Sequence, residues 1–69
     1  MIKTIARKIN QAIKNGRRVT VDGDIVVAAR IRENELEVLY SRETPDELWT
    51  TIQPCFMSDT DELTLETYW

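Results

Sequence analysis

The stretch between residues 18 and 41 constrains the fold most, because polar and apolar side chains alternate there in three short runs. Val, Ile, Thr and Tyr, which favour β-strands, dominate these runs. The runs cover residues 18–22, 25–32 and 35–41. Asp22-Gly23 and Glu33-Asn34 separate them, and both dipeptides are consistent with hairpin turns. The pattern therefore predicts a meander of three antiparallel strands.

Side-chain parity predicts how the second and third strands pair, since a slip of one residue would turn every side chain to the other face. A two-residue turn at Glu33-Asn34 brings opposite charges together on one face. The predicted pairs are Arg30 with Glu37 and Arg32 with Glu35. The apolar side chains of both strands then share the other face.

The first hairpin needs a longer turn if the apolar residues of its two strands are to share a face. A three-residue turn over 22–24 pairs Val21 with Ile25, so we expect a bulged turn here. The outer face of the sheet would then keep an apolar strip of Val26, Ala28 and Leu39. Such a strip on a chain with a small core predicts a homodimer.

Residues 2–14 have the spacing of an amphipathic helix. Ile and Ala recur at intervals of three, four and seven residues, while Lys, Arg and Asn occupy the other side. Asn15-Gly16 follows, and glycine readily adopts the left-handed conformation that ends a helix. The chain should therefore begin with a helix that packs an isoleucine stripe on the sheet.

Two further elements are expected after the meander. Thr44-Pro45-Asp46-Glu47 combines a cap, a proline at the first helical position and a capping-box glutamate, and Pro54 limits the helix that would follow. Residues 63–67 alternate like a strand, and a short capped helix from Ser58 is the alternative for this part of the chain. The expected fold is α+β, a single domain over residues 1–69 in the order α-β-β-β-α-β. Both helices would lie on one face of a small antiparallel sheet of three to four strands.

The composition argues against most kinds of catalytic and metal site. The chain has no His, one Cys and two Gly, so it lacks the commonest general base, the usual zinc ligands and a glycine-rich phosphate loop. Cys55 is expected to be a buried structural thiol. No apolar run approaches the roughly 20 residues of a membrane span. We expect a cytoplasmic protein that is not an enzyme and holds no metal or cofactor.

Charge is divided unevenly along the chain. Residues 1–18 hold six Lys and Arg and no acid, whereas residues 19–69 hold three Arg and all twelve acids, a net charge of −9. Such a division predicts either neutralisation of one half by the other within the fold or a charged partner. The sequence leaves both alternatives open.

Two candidate binding surfaces follow if a partner exists. The first is an acidic face that would meet a basic, nucleic-acid-binding site on a protein, with Trp49 as its apolar anchor. Its acids are Glu35, Glu37, Asp46, Glu47, Asp59, Asp61 and Glu62. The alternative is the basic N-terminal segment, which would contact nucleic-acid phosphates. Its cations are Lys3, Arg7, Lys8, Lys14, Arg17 and Arg18.

The order of a helix, a three-stranded meander and a helix is similar to that of double-stranded-RNA-binding domains. Those domains begin their second helix with a Lys-rich segment, where this chain has Pro45-Asp46-Glu47. The same order, the length and the acidic body also resemble some small phage-encoded anti-CRISPR proteins. Such inhibitors mimic nucleic acid in charge and block the DNA-binding surface of a Cas nuclease. The resemblance implies a non-enzymatic inhibitor or regulator that binds a basic protein partner.

Overall fold

The computed structural model describes residues 1–68, which form one α-helix, six β-strands and one 3₁₀ turn. Their bounds are Ile2–Lys14 (α1), Val19–Val21 (β1), Asp24–Arg32 (β2), Glu35–Tyr40 (β3), Ser41–Glu43 (the 3₁₀ turn), Trp49–Thr51 (β4), Pro54–Asp59 (β5) and Leu63–Thr67 (β6). The strand order is β4-β3-β2-β1-β6-β5, with all neighbours antiparallel except the parallel pair β1 and β6. The α+β class is confirmed. The expected sheet of three to four antiparallel strands is wrong in detail, because the sheet is mixed and has six.

The predicted N-terminal helix forms over Ile2–Lys14. Its apolar stripe packs on the sheet, and Ile9 at its centre is fully buried. Gly16 follows with a positive φ of 76°, and its N–H donates to the Ile13 carbonyl at 3.0 Å. Local periodicity and the glycine stop therefore determine this element.

The sheet curls until its two edges meet. β4 and β5 lie at opposite ends of the strand order, yet only Ile52 and Gln53 join them. Three Cα–Cα steps reach about 11 Å at most, so the edges are neighbours in space. Ile52 N–H donates to the Leu36 carbonyl of β3 (2.9 Å), and Tyr68 N–H donates to the Gln53 carbonyl (3.1 Å). The chain thus changes partner from β3 to the end of β6 at this corner and encloses one core.

The first hairpin corrects the expected three-residue turn. Val21 pairs with Asp24 across a two-residue turn, whose residues Asp22 and Gly23 both have positive φ, 51° and 86°. Asp22 also holds the end of β6, since its carboxylate accepts hydrogen bonds from the backbone N–H and hydroxyl of Thr67. These bonds, the side-chain one foremost, lower the pKa of Asp22.

A bulge in β2 resolves the parity conflict that the longer turn was expected to resolve. The register shifts between Val26 and Ala28. The one extra residue at this bulge moves the side chains that precede it to the opposite face of the sheet. Val26 consequently enters the core with 3% of its surface exposed, and Ile25 is 43% exposed. The expected outer strip therefore loses Val26, while Ala28 and Leu39 lie on the outer face as predicted.

The second hairpin forms in the predicted register. Its pairs include Arg30 with Glu37 and Arg32 with Glu35. The turn residues Glu33 and Asn34 have positive φ values of 53° and 64°. A two-residue turn with positive φ at both positions has the same twist as the strands that it joins. The length of the turn therefore agrees with the alternation of apolar side chains in the two strands.

The predicted second helix does not form. Thr44–Glu47 folds into successive turns, in which Glu47 has a φ of 49°, and Trp49–Thr51 pairs with β3 instead. The helix-start signals extend over only one turn, which is too little to nucleate a helix in water. The β-branched residues that follow suit the open edge of β3.

Asn10 joins α1 to the sheet where β2 extends beyond its short neighbour β1. Its Nδ2 donates to the Ala29 carbonyl (2.9 Å), and its Oδ1 accepts from the Ala29 N–H (3.0 Å). One side-chain amide thus takes the place of a neighbouring strand for both backbone groups.

Candidate protein-binding surface

The acidic residues predicted to form one face lie in two separate places. The first group lies at the β4 end of the strand order. It consists of Glu35 and Glu37 on β3, Asp46 and Glu47 in the turn before β4, and Trp49 on β4. Asp59, Asp61 and Glu62 lie at the turn between β5 and β6, at the end of β5 away from the corner where the two edges meet. The structure therefore divides the predicted face into two groups with different surroundings.

The group at the β5–β6 turn is largely neutralised by the basic N-terminal segment. Asp59 contacts both Arg17 and Lys8, with Lys8 Nζ at 3.6 Å from the carboxylate. The hydrogen bond from Arg17 is the main reason why the pKa of Asp59 is lowered. Arg18 Nε lies 3.7 Å from Glu62 Oε1. Internal neutralisation, one of the two alternatives that the charge division left open, therefore occurs at this turn.

Trp49 is held in place by a cross-strand ion pair. It is half-buried on the outer face of the sheet, opposite Leu39, which is only 6% exposed. The Arg30 guanidinium lies 4.1 Å from the indole ring centroid, and Arg30 Nε lies 2.7 Å from Glu37 Oε1. Glu37 thus orients Arg30 over the ring, and a cation over an aromatic face is an attractive contact. Sequence reasoning predicted this ion pair but not its contact with Trp49.

The turn before β4 presents an apolar side chain between two carboxylates. Leu48 is 55% exposed, and Asp46 and Glu47 are also exposed. Neither acid forms an ion pair within residues 1–68. Together with Trp49, these residues form what we call the β4 surface. Leu48 lies within the expected second helix, and the turn that forms in place of that helix exposes its side chain.

Glu35 lies apart from the β4 surface. It begins β3, and the five-residue rise to Tyr40 separates it from the far end by about 17 Å. It lines an open groove beside Ile2 and Ile5 at the N-terminal end of α1. Glu35 is therefore not part of the same contact patch as Asp46.

Arg42, in the 3₁₀ turn, is a second arginine whose guanidinium lies over an aromatic ring. Its guanidinium lies 4.6 Å from the Tyr40 ring centroid, and its Nη1 lies 2.8 Å from Asp24 Oδ2. Burial, and then the charges of Asp22 and Asp24, raise the pKa of the Tyr40 hydroxyl. Arg42 thus neutralises acids next to the 3₁₀ turn, which sequence reasoning did not predict.

The basic segment has two kinds of cation. Lys8, Arg17 and Arg18 form the ion pairs at the β5–β6 turn. Lys3, Arg7 and Lys14 are exposed, and they form no ion pair in the part of the chain that the structure describes. Their spacing of four and seven residues places these three on one side of α1.

No metal site is assembled within residues 1–68, and the cysteine is not where the sequence predicts it. No group of three or more His, Cys, Asp or Glu there is placed to hold a metal ion. Cys55 is exposed, so the expected burial of its thiol is wrong. It falls at an irregularity in β5, between Pro54 and Phe56, on an edge strand. The helix of the described chain is neither long nor apolar enough to cross a membrane.

Comparison with known protein families, curated proteins and solved structures finds no match to this chain. Any role of the β4 surface must therefore be inferred from its own side chains.

Proposed function

We propose that the protein is a non-enzymatic binding protein that attaches to a basic site on another protein through its β4 surface. The observation that carries the proposal is the exposed Leu48 next to Trp49. Beside them lie the carboxylates of Asp46 and Glu47, which form no ion pair among residues 1–68. Apolar anchors bordered by polar groups are the usual composition of protein–protein contacts.

The charge of the chain favours a basic partner. The net charge is −3, and the β5–β6 turn already uses three of the basic residues internally. A protein site that normally holds nucleic acid offers the complementary positive potential. Occupying that site would inhibit the partner, which is the action of the phage-encoded inhibitors that the sequence resembles.

Association kinetics with a partner isolated by affinity capture tests this proposal. Asp46→Lys should slow association by about tenfold at low salt, because rim charge steers the encounter more than it holds the complex. Added salt should reduce the wild-type rate in the same way. Leu48→Ala should mainly speed dissociation, and because Leu48 is exposed the variant should fold normally.

Asp61→Lys is the matched control, since it makes the same change of charge at an exposed acid of the other group. It should alter association much less than Asp46→Lys. Equal effects of the two reversals would mean that overall charge, not the β4 surface, governs binding. Trp49→Ala is a poorer test, because it also uncovers Leu39.

A second candidate function is nucleic-acid binding by α1. Lys3, Arg7 and Lys14 form an exposed row that spans roughly 16 Å along the helix. Such a row has the charge to contact backbone phosphates without reading sequence. The acidic remainder of the chain opposes this function, so we rank it below protein binding.

Gel-shift assays with DNA and RNA at low salt distinguish the two functions. A shift that salt removes, and that Arg7→Glu abolishes, would favour nucleic-acid binding. Lys8→Glu is the matched control, since Lys8 is already paired with Asp59. No shift for the wild type would remove this candidate.

A further inference from the structure

A cleft opens at the seam where the two edges of the curled sheet meet. Its lining comes from the turn between β1 and β2, the end of β3, β4 with the corner that follows it, and the end of β6. Its volume is about 470 Å³, within the range of ligand sites. Thr50 and Thr51 line it directly after Trp49, so the cleft is separate from the β4 surface but next to it.

The lining of the cleft is rich in hydroxyl groups and carries a single charge. The hydroxyl groups belong to Tyr40, Thr50, Thr51, Thr67 and Tyr68. Asp22 supplies the charge, and no Lys or Arg of residues 1–68 is among the lining residues. Such a lining suits a ligand that donates hydrogen bonds and carries a positive charge.

Asp22 is held in the cleft as an ionised carboxylate. Thr67 donates to both of its oxygens, from the backbone N–H to Oδ1 at 3.0 Å and from the hydroxyl to Oδ2. These bonds lower the pKa of Asp22, so the carboxylate is charged at neutral pH. Asp22 forms no ion pair in the part of the chain that the structure describes, and its charge is therefore available to a ligand.

Two arginines lie beside the same turn, but each is already paired with acids. Arg42 Nη1 lies 2.8 Å from Asp24 Oδ2, and its Nε lies 3.8 Å from Glu43 Oε1. Arg18, which lines a neighbouring groove next to Asp24, has its Nε 3.7 Å from Glu62 Oε1. These acids and the carboxylate of the cleft outnumber the two arginines, so the cleft keeps a negative potential that attracts a cation.

The hydrogen bonds from Thr67 favour an ammonium over a guanidinium group. A guanidinium pairs best with a carboxylate through two parallel bonds, one to each oxygen, and Thr67 already donates to both oxygens of Asp22. An ammonium needs only one lone pair of the carboxylate, and its other N–H groups can donate to hydroxyls. The ring of Tyr40 already has Arg42 over it, whereas Tyr68 is 68% exposed and its ring is free to attract a cation.

We propose that the cleft binds the ammonium group of a lysine side chain on the basic partner, with Asp22 as its counter-ion and the ring of Tyr68 beside it. The source of the lysine rests on the proposed function, whereas the chemistry of the cleft does not. Because the cleft adjoins the β4 surface, one partner can contact both. The lysine contact should slow dissociation of the complex, while the exposed acids of the β4 surface control the encounter.

A lysine derivative blocked at both backbone ends, Nα-acetyl-lysine N-methylamide, tests the cleft without the partner. Amide chemical shifts around Asp22, Thr67 and Tyr68 should move and saturate with a dissociation constant of about 10 mM, as suits a contact made by one side chain. The norleucine derivative keeps an alkyl chain and lacks the ammonium. It should bind roughly tenfold more weakly, because the charged hydrogen bond is lost.

Asp22→Asn is the matched variant, since asparagine keeps an oxygen for the Thr67 N–H and tolerates the positive φ of 51° at this position. It should weaken binding of the lysine derivative roughly tenfold. Asp61→Asn removes a charge from an exposed acid at the β5–β6 turn and should leave binding unchanged. Tyr68→Ala should weaken binding several-fold and Tyr68→Phe should not, because the ring makes the contact. The proposal is overturned if the two derivatives bind alike, or if Asp22→Asn and Asp61→Asn have equal effects.

Kinetics with the captured partner separate this proposal from the proposed function. Asp22→Asn should speed dissociation of the complex several-fold, whereas Asp46→Lys should slow association. If Asp22→Asn leaves dissociation unchanged while Asp46→Lys slows association, no lysine of the partner enters the cleft and only the present proposal fails. If the lysine derivative binds in the cleft while Asp46→Lys leaves association unchanged, the ammonium site stands and the proposed function of the β4 surface fails.

Discussion

Replacing Asn10 by Ala should destabilise the protein more than any other exposed change on α1. Both backbone groups of Ala29 depend on the Asn10 amide, at 2.9 and 3.0 Å, and Ala29 is only 7% exposed. Losing the amide leaves each of the two backbone groups without a partner, which costs about 1.5–2 kcal/mol per group. The higher helix propensity of Ala returns up to about 0.7 kcal/mol.

The net loss is therefore about 2–4 kcal/mol, to be compared with a total stability of roughly 3–10 kcal/mol for a chain of 69 residues. Urea unfolding followed by circular dichroism measures the difference. Gln11→Ala is the control, because Gln11 is exposed on the same helix. Asn10→Asp should also destabilise, since it keeps the acceptor and removes the donor. If the free energies of unfolding of Asn10→Ala and Gln11→Ala differ by less than about 0.5 kcal/mol, the Asn10 amide does not take the place of a strand.

Three further predictions concern the sheet. A double-mutant cycle of Arg30→Ala and Glu37→Ala should give a coupling energy of about 0.5–1 kcal/mol, and no coupling would contradict the ion pair. Because hydrogen bonds from Thr67 lower the pKa of Asp22, their stabilising contribution is complete above the ordinary value of 3.8 and is lost as the pH falls through the lower folded-state pKa. In Asp22→Asn the free energy of unfolding should therefore depend less on pH in the acid range. The same pH dependence as in the wild type would refute this account. Val26→Ala should cost about 2 kcal/mol in urea unfolding, whereas a value near zero would place Val26 on the outer face.

The elements that sequence reasoning predicted correctly are those with local causes. The 3.6-residue spacing of α1 and the glycine that ends it lie within 16 consecutive residues. The pairing of Arg30 with Glu37 follows from a two-residue turn and from alternation next to it. In both cases the interacting residues are close along the chain, so the pattern carries the information needed to place them.

Residues 44–53 could not be predicted, because their capping signals favour a helix while the open edge of β3 favours a strand. Only the fold supplies β3 as a partner, and its backbone hydrogen bonds outweigh a helix that would have been about two turns long. The exposure of Leu48, and with it the β4 surface, depends on that outcome.

The sequence alone determined the class of the fold, its N-terminal helix and the register of its second hairpin. Tertiary structure decided the bulge at Val26, the curled sheet and the destination of each charge. Parity requires that the apolar faces of β1 and β2 match, but a longer turn and a bulge satisfy this requirement equally well. Likewise, the basic and acidic halves are separate along the chain, and only the ion pairs at the β5–β6 turn show where they meet. Side chains distant in sequence interact through surfaces that exist only after the sheet has closed.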